Sequence, residues 1–221
     1  MSDEGPKIVG IFPIGPQGTE YVRPFRLLYT LDGSDDKPRE WDCLKTHDSV
    51  AIILYNTDHD TLIFVRQFRP SIVAASALEL DIDKGVIRPN PKVSGYSIEL
   101  CAGIIDKEGK NAAEIAKEEV LEETGYDIPT SSLQFVTSSR SGIGVQAAVH
   151  SIFFATVCDK QKTSRGGGID DERIEVIELS IEESRKLLWA KEEEAINARP
   201  ASMLCGIAWF MYEKYPSIKK K

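Results

Sequence analysis

The chain has 221 residues and a formal net charge of −8 at pH 7, with 42% hydrophobic and 28% charged residues. This composition predicts a folded, water-soluble protein with one sizeable domain. The acidic balance argues against a large nucleic-acid-binding surface, because such surfaces use clustered Lys and Arg to displace the counterions of phosphates. The four cysteines are widely spaced and contain no Cys-x-x-Cys pair, which fits neither a disulfide scaffold nor a zinc site.

Targeting and membrane segments are not recognisable in the sequence. The first four residues, Met1 to Glu4, lack the basic and apolar regions of a signal peptide. No apolar run reaches the roughly 20 residues that cross a bilayer. We therefore expect a cytoplasmic protein with reduced thiols and with neither a membrane nor a nucleic acid as its partner.

The first half of the chain predicts mainly strands. Residues 1–20 are expected to be irregular because glycine and proline interrupt them. Residues 21–31 alternate as a strand does, and residues 33–38 form a polar turn. Two β-rich runs, residues 50–55 and 61–65, predict a buried hairpin. Residues 74–96 then predict an inserted loop whose length favours a functional role.

The second half predicts helices on a sheet. Residues 111–124 predict a helix, with Asn111 and Glu114 as a capping box and Gly125 as its left-handed end. Ser180 and Glu183 open another helix in the same way. The remaining predicted strands span residues 96–100, 133–137, 147–157 and 174–179, and the remaining helices span residues 181–190 and 201–215. The order of elements predicts an α/β domain in which helices flank a mixed sheet.

Four glutamates crowd the end of the first long helix, at Glu118, Glu119, Glu122 and Glu123. Exposed acidic faces usually carry Lys or Arg three or four residues away, and none of these four does. Two pairs are like charges at i,i+4, and the helix dipole disfavours anions in the last turn. A solvated acidic face is the ordinary interpretation, but repeated violations of local rules at one place are typical of a functional site.

The spacing of these carboxylates indicates which cation would stabilise them. Glu119, Glu122 and Glu123 stand at i, i+3 and i+4 and share one patch of the helix. Oxygen ligands without His or Cys suit Mg²⁺ or Mn²⁺, which complete their shells with water and substrate phosphates. The helix therefore predicts metal-assisted displacement at phosphorus.

Residues 103–126 resemble the Nudix box, G-x5-E-x7-R-E-U-x-E-E-x-G-U, where U is aliphatic or aromatic. The match is best from Glu119 to Tyr126. Residues 46–50, 66–70 and 99–103, and the three glycines at 166–168, also resemble the Nudix pyrophosphatases of UDP-glucose and ADP-ribose. The resemblance covers residues 20–215. It implies a Nudix-type α/β/α sandwich, with residues 1–45 as an N-terminal strand segment that supports a homodimer and residues 46–221 as the hydrolase domain.

By this resemblance the metal site consists of Glu119, Glu122 and Glu123, joined by Ala102. The implied reaction is Mg²⁺-dependent hydrolysis of the pyrophosphate bond of a nucleotide sugar, with Mn²⁺ as a substitute. UDP-glucose, which would yield UMP and glucose 1-phosphate, is the expected substrate. Hydrolysis of ADP-ribose and a non-catalytic, nucleotide-binding role are the alternatives.

Three features depart from the family pattern. The box is one residue longer than usual between its first glycine and the glutamate pair. The early glutamate of the pattern falls at Gly109 or Lys110, with Glu108 one position away. The arginine that orients the glutamates in the family aligns with Glu118.

Further site residues are predicted outside the box. Glu172 follows the glycines in an acidic loop and, by the same resemblance, is the expected general base, with Glu122 and Glu123 as alternatives. Arg69 is preferred over Arg66 for the substrate phosphates, the alternative for Arg69 being a structural ion pair. The other predictions are that Trp41 either stacks on a base or packs as a structural aromatic, that His150 is structural, and that residues 141–144 form a loop lining the pocket.

Overall fold

The structure is a computed structural model that describes residues 6–31, 37–191 and 197–219. Within them the chain forms eleven strands and five α-helices. The strands are β1 (Arg23–Tyr29), β2 (Arg39–Lys45), β3 (Ser49–Asn56), β4 (Thr61–Phe68), β5 (Glu79–Asp81), β6 (Val86–Arg88), β7 (Tyr96–Glu99), β8 (Cys101–Ile104), β9 (Gln134–Ser141), β10 (Ala148–Val157) and β11 (Ile174–Ser180). The helices are α1 (Pro70–Ala75), α2 (Ala112–Glu119), α3 (Ile181–Trp189), α4 (Ala201–Trp209) and α5 (Tyr215–Lys219).

A mixed seven-stranded sheet forms the centre of the domain. Its order is β11-β4-β3-β10-β9, with β7 paired to β4 and β8 paired to β3. Strand β3 runs parallel to β10 and antiparallel to β4 and β8. The predicted hairpin is confirmed, because Leu54 lies opposite Ile63 in the β3–β4 register.

Helices cover both faces of this sheet. Because successive side chains of a strand point to opposite faces, Ile52 packs with Ile115 and Val120, while Ile53 lies in the cluster of Met203 and Phe210. The first cluster belongs to α2 and the second to α4. The resulting helix–sheet–helix layering confirms the predicted α/β/α sandwich. No helix in the described segments is long and apolar enough to cross a membrane.

The N-terminal part forms a small sheet of its own. The predicted strand at residues 21–31 is confirmed as β1, and it pairs with β2, which the sequence reading missed. The predicted turn at residues 33–38 lies largely outside the described residues. The hairpin contacts the domain where the Leu44 N–H donates to the Val145 carbonyl at 2.9 Å and the indole N–H of Trp41 donates to the Gly144 carbonyl at 2.9 Å.

The predicted inserted loop at residues 74–96 is wrong in part. It contains the end of α1 and a second hairpin formed by β5 and β6. The turn of this hairpin places Gly85 at a φ of 65°, and the Asp81 carboxylate accepts from the Lys84 N–H at 3.0 Å. Strands of three residues are too short to show alternation, which is why the sequence did not reveal them.

The predicted helix at residues 111–124 is confirmed, with one change in its last turn. Asn111 caps the N-terminus and shares a capping box with Glu114, and Gly125 ends the helix at a φ of 80°. Regular α-helix stops at Glu119, and Val120–Thr124 forms a π-turn, a feature common at functional sites. The capping box of Ser180 and α3 is also confirmed. The predicted C-terminal helix is α4, which continues through a π-turn into α5.

A polar cluster surrounds the turn between β3 and β4. His59, in the β3–β4 turn, lies 3.0 Å from a carboxylate oxygen of Asp159 and 3.0 Å from one of Glu178. The side-chain amide of the fully buried Asn56 donates to the Tyr126 hydroxyl at 3.2 Å. The hydrogen bond to Glu178, followed by the charge of Asp159, raises the pKa of His59 above its usual value.

The raised pKa of His59 predicts a pH-dependent stability. Below the unfolded-state pKa of about 6.5 both states are protonated and the imidazolium stabilises the fold fully. As pH rises through the higher folded-state pKa, that stabilisation is lost. The free energy of unfolding, measured with urea at pH 6 and pH 9, should therefore fall more for the wild type than for His59→Gln. The control is His47→Gln, which lies outside the cluster, and equal pH slopes for all three proteins would contradict the prediction.

Candidate active site

A cleft of about 730 Å³ opens between β8, the C-terminal end of the α2 helix and the loop before β11. Its volume is in the range of small-molecule sites. Seven carboxylates line the cleft, whereas its lining contains one lysine, Lys107, and one arginine, Arg69. These carboxylates are Glu99, Asp106, Glu119, Glu122, Glu123, Asp170 and Glu172. An anionic ligand can enter such a cleft only together with cations.

Strand β8 packs directly against two of the glutamates. A Cβ atom at Gly103 would lie 2.0 Å from Oε1 of Glu119, so only glycine permits this approach. Glu123 is 4% exposed, and the backbone N–H of Ala102 donates to its carboxylate at 2.9 Å. These contacts place both carboxylates at the base of the cleft.

Ionisation of the Glu119 and Glu123 carboxylates is energetically unfavourable. Burial, together with the charge of Glu122, raises the pKa of Glu119 to about 7. Burial raises the pKa of Glu123 to about 8, although the hydrogen bond from Ala102 opposes that shift. Buried carboxylates with raised pKa values mark sites where a cation or a proton is expected.

The donor set fits a hard divalent cation that keeps part of its water. Within the described residues, no three carboxylate, imidazole or thiolate groups lie close enough together to hold an ion by themselves. Mg²⁺ usually takes one or two carboxylates and completes its octahedral shell with water and substrate phosphates. Glu119, Glu122 and Glu123 all line the cleft, so one or two of their carboxylates could supply the protein ligands.

Glu118 has two basic partners, although neither lies three or four residues away from it in the helix. Lys107 donates to Oε2 of Glu118 at 2.9 Å, and Lys110 donates to Oε1. Lys107 also lies 3.8 Å from Oε1 of Glu122. Both lysines come from the loop before α2, so the i±3 and i±4 rule could not reveal them.

The three glycines before the acidic loop contact the C-terminal end of the glutamate helix. Gly166, Gly167 and Gly168 all have positive φ, between 68° and 113°. The N–H of Gly167 donates to the Glu123 carbonyl at 2.8 Å, and that of Gly168 donates to the Glu122 carbonyl at 3.1 Å. The N–H groups of Gly167 and Gly168 thus cap C-terminal carbonyls of the π-turn.

Comparison with known proteins identifies the family. No protein-family model matches the chain. The chain is 34% identical over 202 residues to the uridine diphosphate glucose pyrophosphatase NUDT14 of Bos taurus, covering 86% of this chain and 88% of that protein. The NUDT14 of Mus musculus is 32% identical, covering 90% and 91%. The chain belongs to the Nudix hydrolase family. The GDP-mannose pyrophosphatase of Escherichia coli K12 is 32% identical over 138 residues, 62% of each chain.

In this Nudix fold, Glu172 lines the cleft from the loop that is hydrogen-bonded to the end of the glutamate helix. Its carboxylate is exposed and accepts from the Ile169 N–H at 3.1 Å. Its charge contributes to the raised pKa values of Glu119 and Glu123, which places it within electrostatic reach of both. A role as base stays a prediction, and the geometry is compatible with it.

Arg69 lies in the cleft and is also held by an ion pair. Its Nε and Nη2 donate to the two carboxylate oxygens of Glu99, each at 2.7 Å. The hydroxyl of Ser97 donates to the same carboxylate. The ion pair of Arg69 is therefore observed, and it holds the guanidinium in the cleft lining, whereas a role in binding phosphate stays a prediction.

Arg66 and Trp41, which are predicted as substrate-binding residues, are not among the residues that line the Nudix cleft. Arg66 bonds Asn197 at 3.1 Å and Glu175 at 3.0 Å, and it stacks on Tyr96. Its neighbour Gln67 lines the cleft, so strand alternation directs Arg66 to the other face of β4. Trp41 sits on the β1–β2 hairpin and contacts the turn after β9. Residues 141–144 likewise support that hairpin and are not among the cleft-lining residues.

His150, which the sequence placed among structural residues, lines the cleft together with Ser49 and Tyr21. Nδ1 of His150 lies 2.7 Å from the Ser49 hydroxyl, and burial lowers the pKa of the imidazole. The two residues meet because β10 pairs with β3 in parallel, with His150 opposite Ser49. A contact across a hundred residues leaves no local signal in the sequence.

The close approach at Gly103 yields a testable prediction. In Gly103→Ala the new methyl group should displace the Glu119 carboxylate and weaken Mn²⁺ binding by about 10- to 100-fold. Electron paramagnetic resonance titration would measure the affinity. Gly144→Ala is the matched control, because a Cβ at Gly144 meets nothing within 4 Å. Unchanged Mn²⁺ affinity in Gly103→Ala would show that Glu119 takes no part in metal binding.

Proposed function

We propose that this protein hydrolyses the pyrophosphate bond of nucleoside diphosphate sugars, with UDP-glucose, cleaved to UMP and glucose 1-phosphate, as the preferred substrate. One observation carries the proposal. Glu123 is buried and Glu119 half-buried, neither forms an ion pair with a lysine or arginine of the described residues, and both line a cleft large enough for a nucleotide sugar. The similarity to two UDP-glucose pyrophosphatases over most of the chain supports the choice of substrate.

The proposed cofactor is Mg²⁺, with Mn²⁺ as a substitute. Glu119, Glu122 and Glu123, with Ala102 beside them, would hold it. When bound, the cation would neutralise the diphosphate and make phosphorus more electrophilic. Because the cleft lining is predominantly acidic, binding of a diphosphate without the cation would be strongly unfavourable.

The protein's own residues would carry the remaining steps. A water oxygen bonds to one phosphorus, the bridging P–O bond breaks, and the electron pair leaves on the oxygen of the second phosphate. Glu172 takes the proton of the attacking water, with Glu122 and Glu123 as the alternative acceptors. Arg69, fixed by Glu99, presents its guanidinium to a phosphate of the substrate.

A substrate panel tests this function. Purified protein would be incubated with UDP-glucose, ADP-ribose or GDP-mannose, with and without Mg²⁺, and the products separated by ion-exchange chromatography. We expect Mg²⁺-dependent release of UMP with the highest kcat/KM. Faster release of AMP would favour the ADP-ribose alternative. Nucleotide binding without turnover of any substrate, in the wild type as in Glu122→Gln/Glu123→Gln, would favour a non-catalytic role.

The base is tested in the same assay. Glu172→Gln should lower kcat by about 10²- to 10⁴-fold with Mg²⁺ saturating, since the water loses its proton acceptor. Asp171→Asn is the control from the same loop, because Asp171 is not among the cleft-lining residues. Near-normal turnover of Glu172→Gln would move the role to Glu122 or Glu123.

The N-terminal hairpin supports a further proposal, that the protein is a homodimer. Its side chains Phe25, Leu27, Leu28 and Trp41 are 44–65% exposed, on a two-stranded sheet that would be marginal alone. An apolar groove of about 480 Å³ runs beside them between the hairpin and Val145. A second copy would cover these side chains.

Light scattering after size-exclusion chromatography tests the dimer. The wild type should have a mass of about two chains of 24.6 kDa. Leu27→Asp should be monomeric because it places a charge in the apolar interface. Leu80→Asp, at a similarly exposed leucine of the β5–β6 hairpin, should remain dimeric. A wild-type protein of single-chain mass would refute the proposal.

The cysteines suggest a compartment. Cys43, Cys101, Cys158 and Cys205 are all unpaired. Free thiols persist in a reducing environment. A cytoplasmic location is therefore part of the proposal.

A further inference from the structure

Two departures from the Nudix box meet at one point of the structure. The loop before α2 is a residue longer than the pattern, and its extra length forms a turn in which the Lys110 N–H donates to the Lys107 carbonyl at 3.3 Å. Gly109 has a φ of 81° in this turn. The turn directs Lys107 and Lys110 toward Glu118, the residue at the family's arginine position. The longer loop and the reversed charge are therefore parts of one arrangement.

Lys107 stands between two carboxylates at unequal distances. Its ammonium donates to Glu118 at 2.9 Å, a full hydrogen bond, and lies 3.8 Å from Glu122, beyond hydrogen-bonding range. Lys110 occupies the other oxygen of Glu118. Glu118 is thus saturated by two lysines, and Glu122 keeps oxygens that are not hydrogen-bonded to Lys107.

The unequal distances matter because a lysine and a divalent cation compete for the same oxygens. An ammonium in full contact with Glu122 would neutralise it and occupy its lone pairs. An ammonium kept slightly apart compensates part of the charge of the cluster and leaves the lone pairs accessible. The flexible side chain of Lys107 would move to Glu122 if nothing held it elsewhere.

We propose that Glu118 is a positioning residue that holds Lys107 beside Glu122 but off its oxygens, so that Glu122 stays available to the divalent cation. This inference rests on the proposed function, since it assigns Glu122 to the metal. In the family pattern, an arginine at this position places the cation on the helix. Here the anion is on the helix, and the cation is supplied by the lengthened loop.

A double-mutant cycle read by Mn²⁺ binding tests the pair without any nucleotide. The proteins are the wild type, Lys107→Gln, Glu118→Gln and the double variant, titrated with Mn²⁺ by electron paramagnetic resonance. Lys107→Gln should tighten binding by about threefold, because a competing cation is removed. Glu118→Gln should weaken binding by about tenfold, because the released Lys107 moves onto Glu122.

The decisive value is the effect of Glu118→Gln in the Lys107→Gln background. Long-range electrostatic effects of the two charges alone would also change the Mn²⁺ affinity in opposite directions in the two single variants. Such effects would simply add in the double variant. Under the proposal the loss caused by Glu118→Gln disappears when Lys107 is absent, so the double variant binds Mn²⁺ like Lys107→Gln. A tenfold loss that persists in the double variant overturns the proposal, as does equal affinity in all four proteins.

Three controls complete the design. Lys107→Arg keeps the charge and should bind Mn²⁺ like the wild type. Lys117→Gln removes the same charge from α2 at a side chain that is not among the cleft-lining residues, and it should have little effect. Thermal unfolding would verify the fold of each variant. If Glu118→Gln does not fold, Glu118→Asp, which shortens the anchor and keeps its charge, should weaken binding in the same direction.

The outcomes separate this inference from the proposed function. A wild-type protein that binds Mn²⁺ but cleaves no nucleotide sugar would refute the substrate while the cycle still judges the pair. A wild-type protein that binds no Mn²⁺ would overturn both.

Discussion

The burial of two carboxylates beneath a glycine-containing strand is the constraint on which the site depends. Glu119 reaches its place only because Gly103 has no Cβ, and Glu123 is held by the backbone N–H of Ala102. Burial disfavours the charged forms of both, as their raised pKa values show. The fold thus stores an electrostatic penalty at the cleft, which a bound cation would relieve.

The basic side chains near the cleft are paired with carboxylates other than those of Glu119 and Glu123. The buried glutamates have no lysine or arginine bonded to them in the described part of the chain, whereas Glu118, one residue away, has two lysines. On the opposite wall, Glu99 takes both forks of Arg69. Basic side chains are therefore present near the cleft, but each is tied to a carboxylate that is not one of the proposed ligands. This arrangement leaves the acidic base of the cleft open.

Local sequence rules predicted the elements that local physics determines. The capping boxes at Asn111 and Ser180, the left-handed Gly125 and the buried hairpin are set by neighbours within a few residues, and all four are confirmed. The π-turn after Glu119 and the short β5–β6 hairpin carry no distinct pattern. Their form depends on tertiary packing. For the π-turn, Val120 within it and Tyr126 just after it are both packed in the hydrophobic core.

The spacing of residues in the sequence predicts only those parts of the site that lie on one helix. The three clustered glutamates were identified from spacing, since residues at i, i+3 and i+4 share a face. Lys107, Ser49 and His150 join the cleft through a loop and a parallel strand pair, and contacts between distant segments cannot be read from one sequence. Arg66 was misplaced because strand alternation gives opposite faces without saying which face meets the cleft.

The hydrogen bonds of Gly167 and Gly168 to the carbonyls of Glu123 and Glu122 have a mechanical consequence. They join the loop that carries Glu172 to the helix that carries Glu119, Glu122 and Glu123, so moving the loop away from the helix would break backbone hydrogen bonds. Tyr21, by contrast, lines the cleft from a segment just before β1 that lies outside the regular strands, and this residue is 58% exposed.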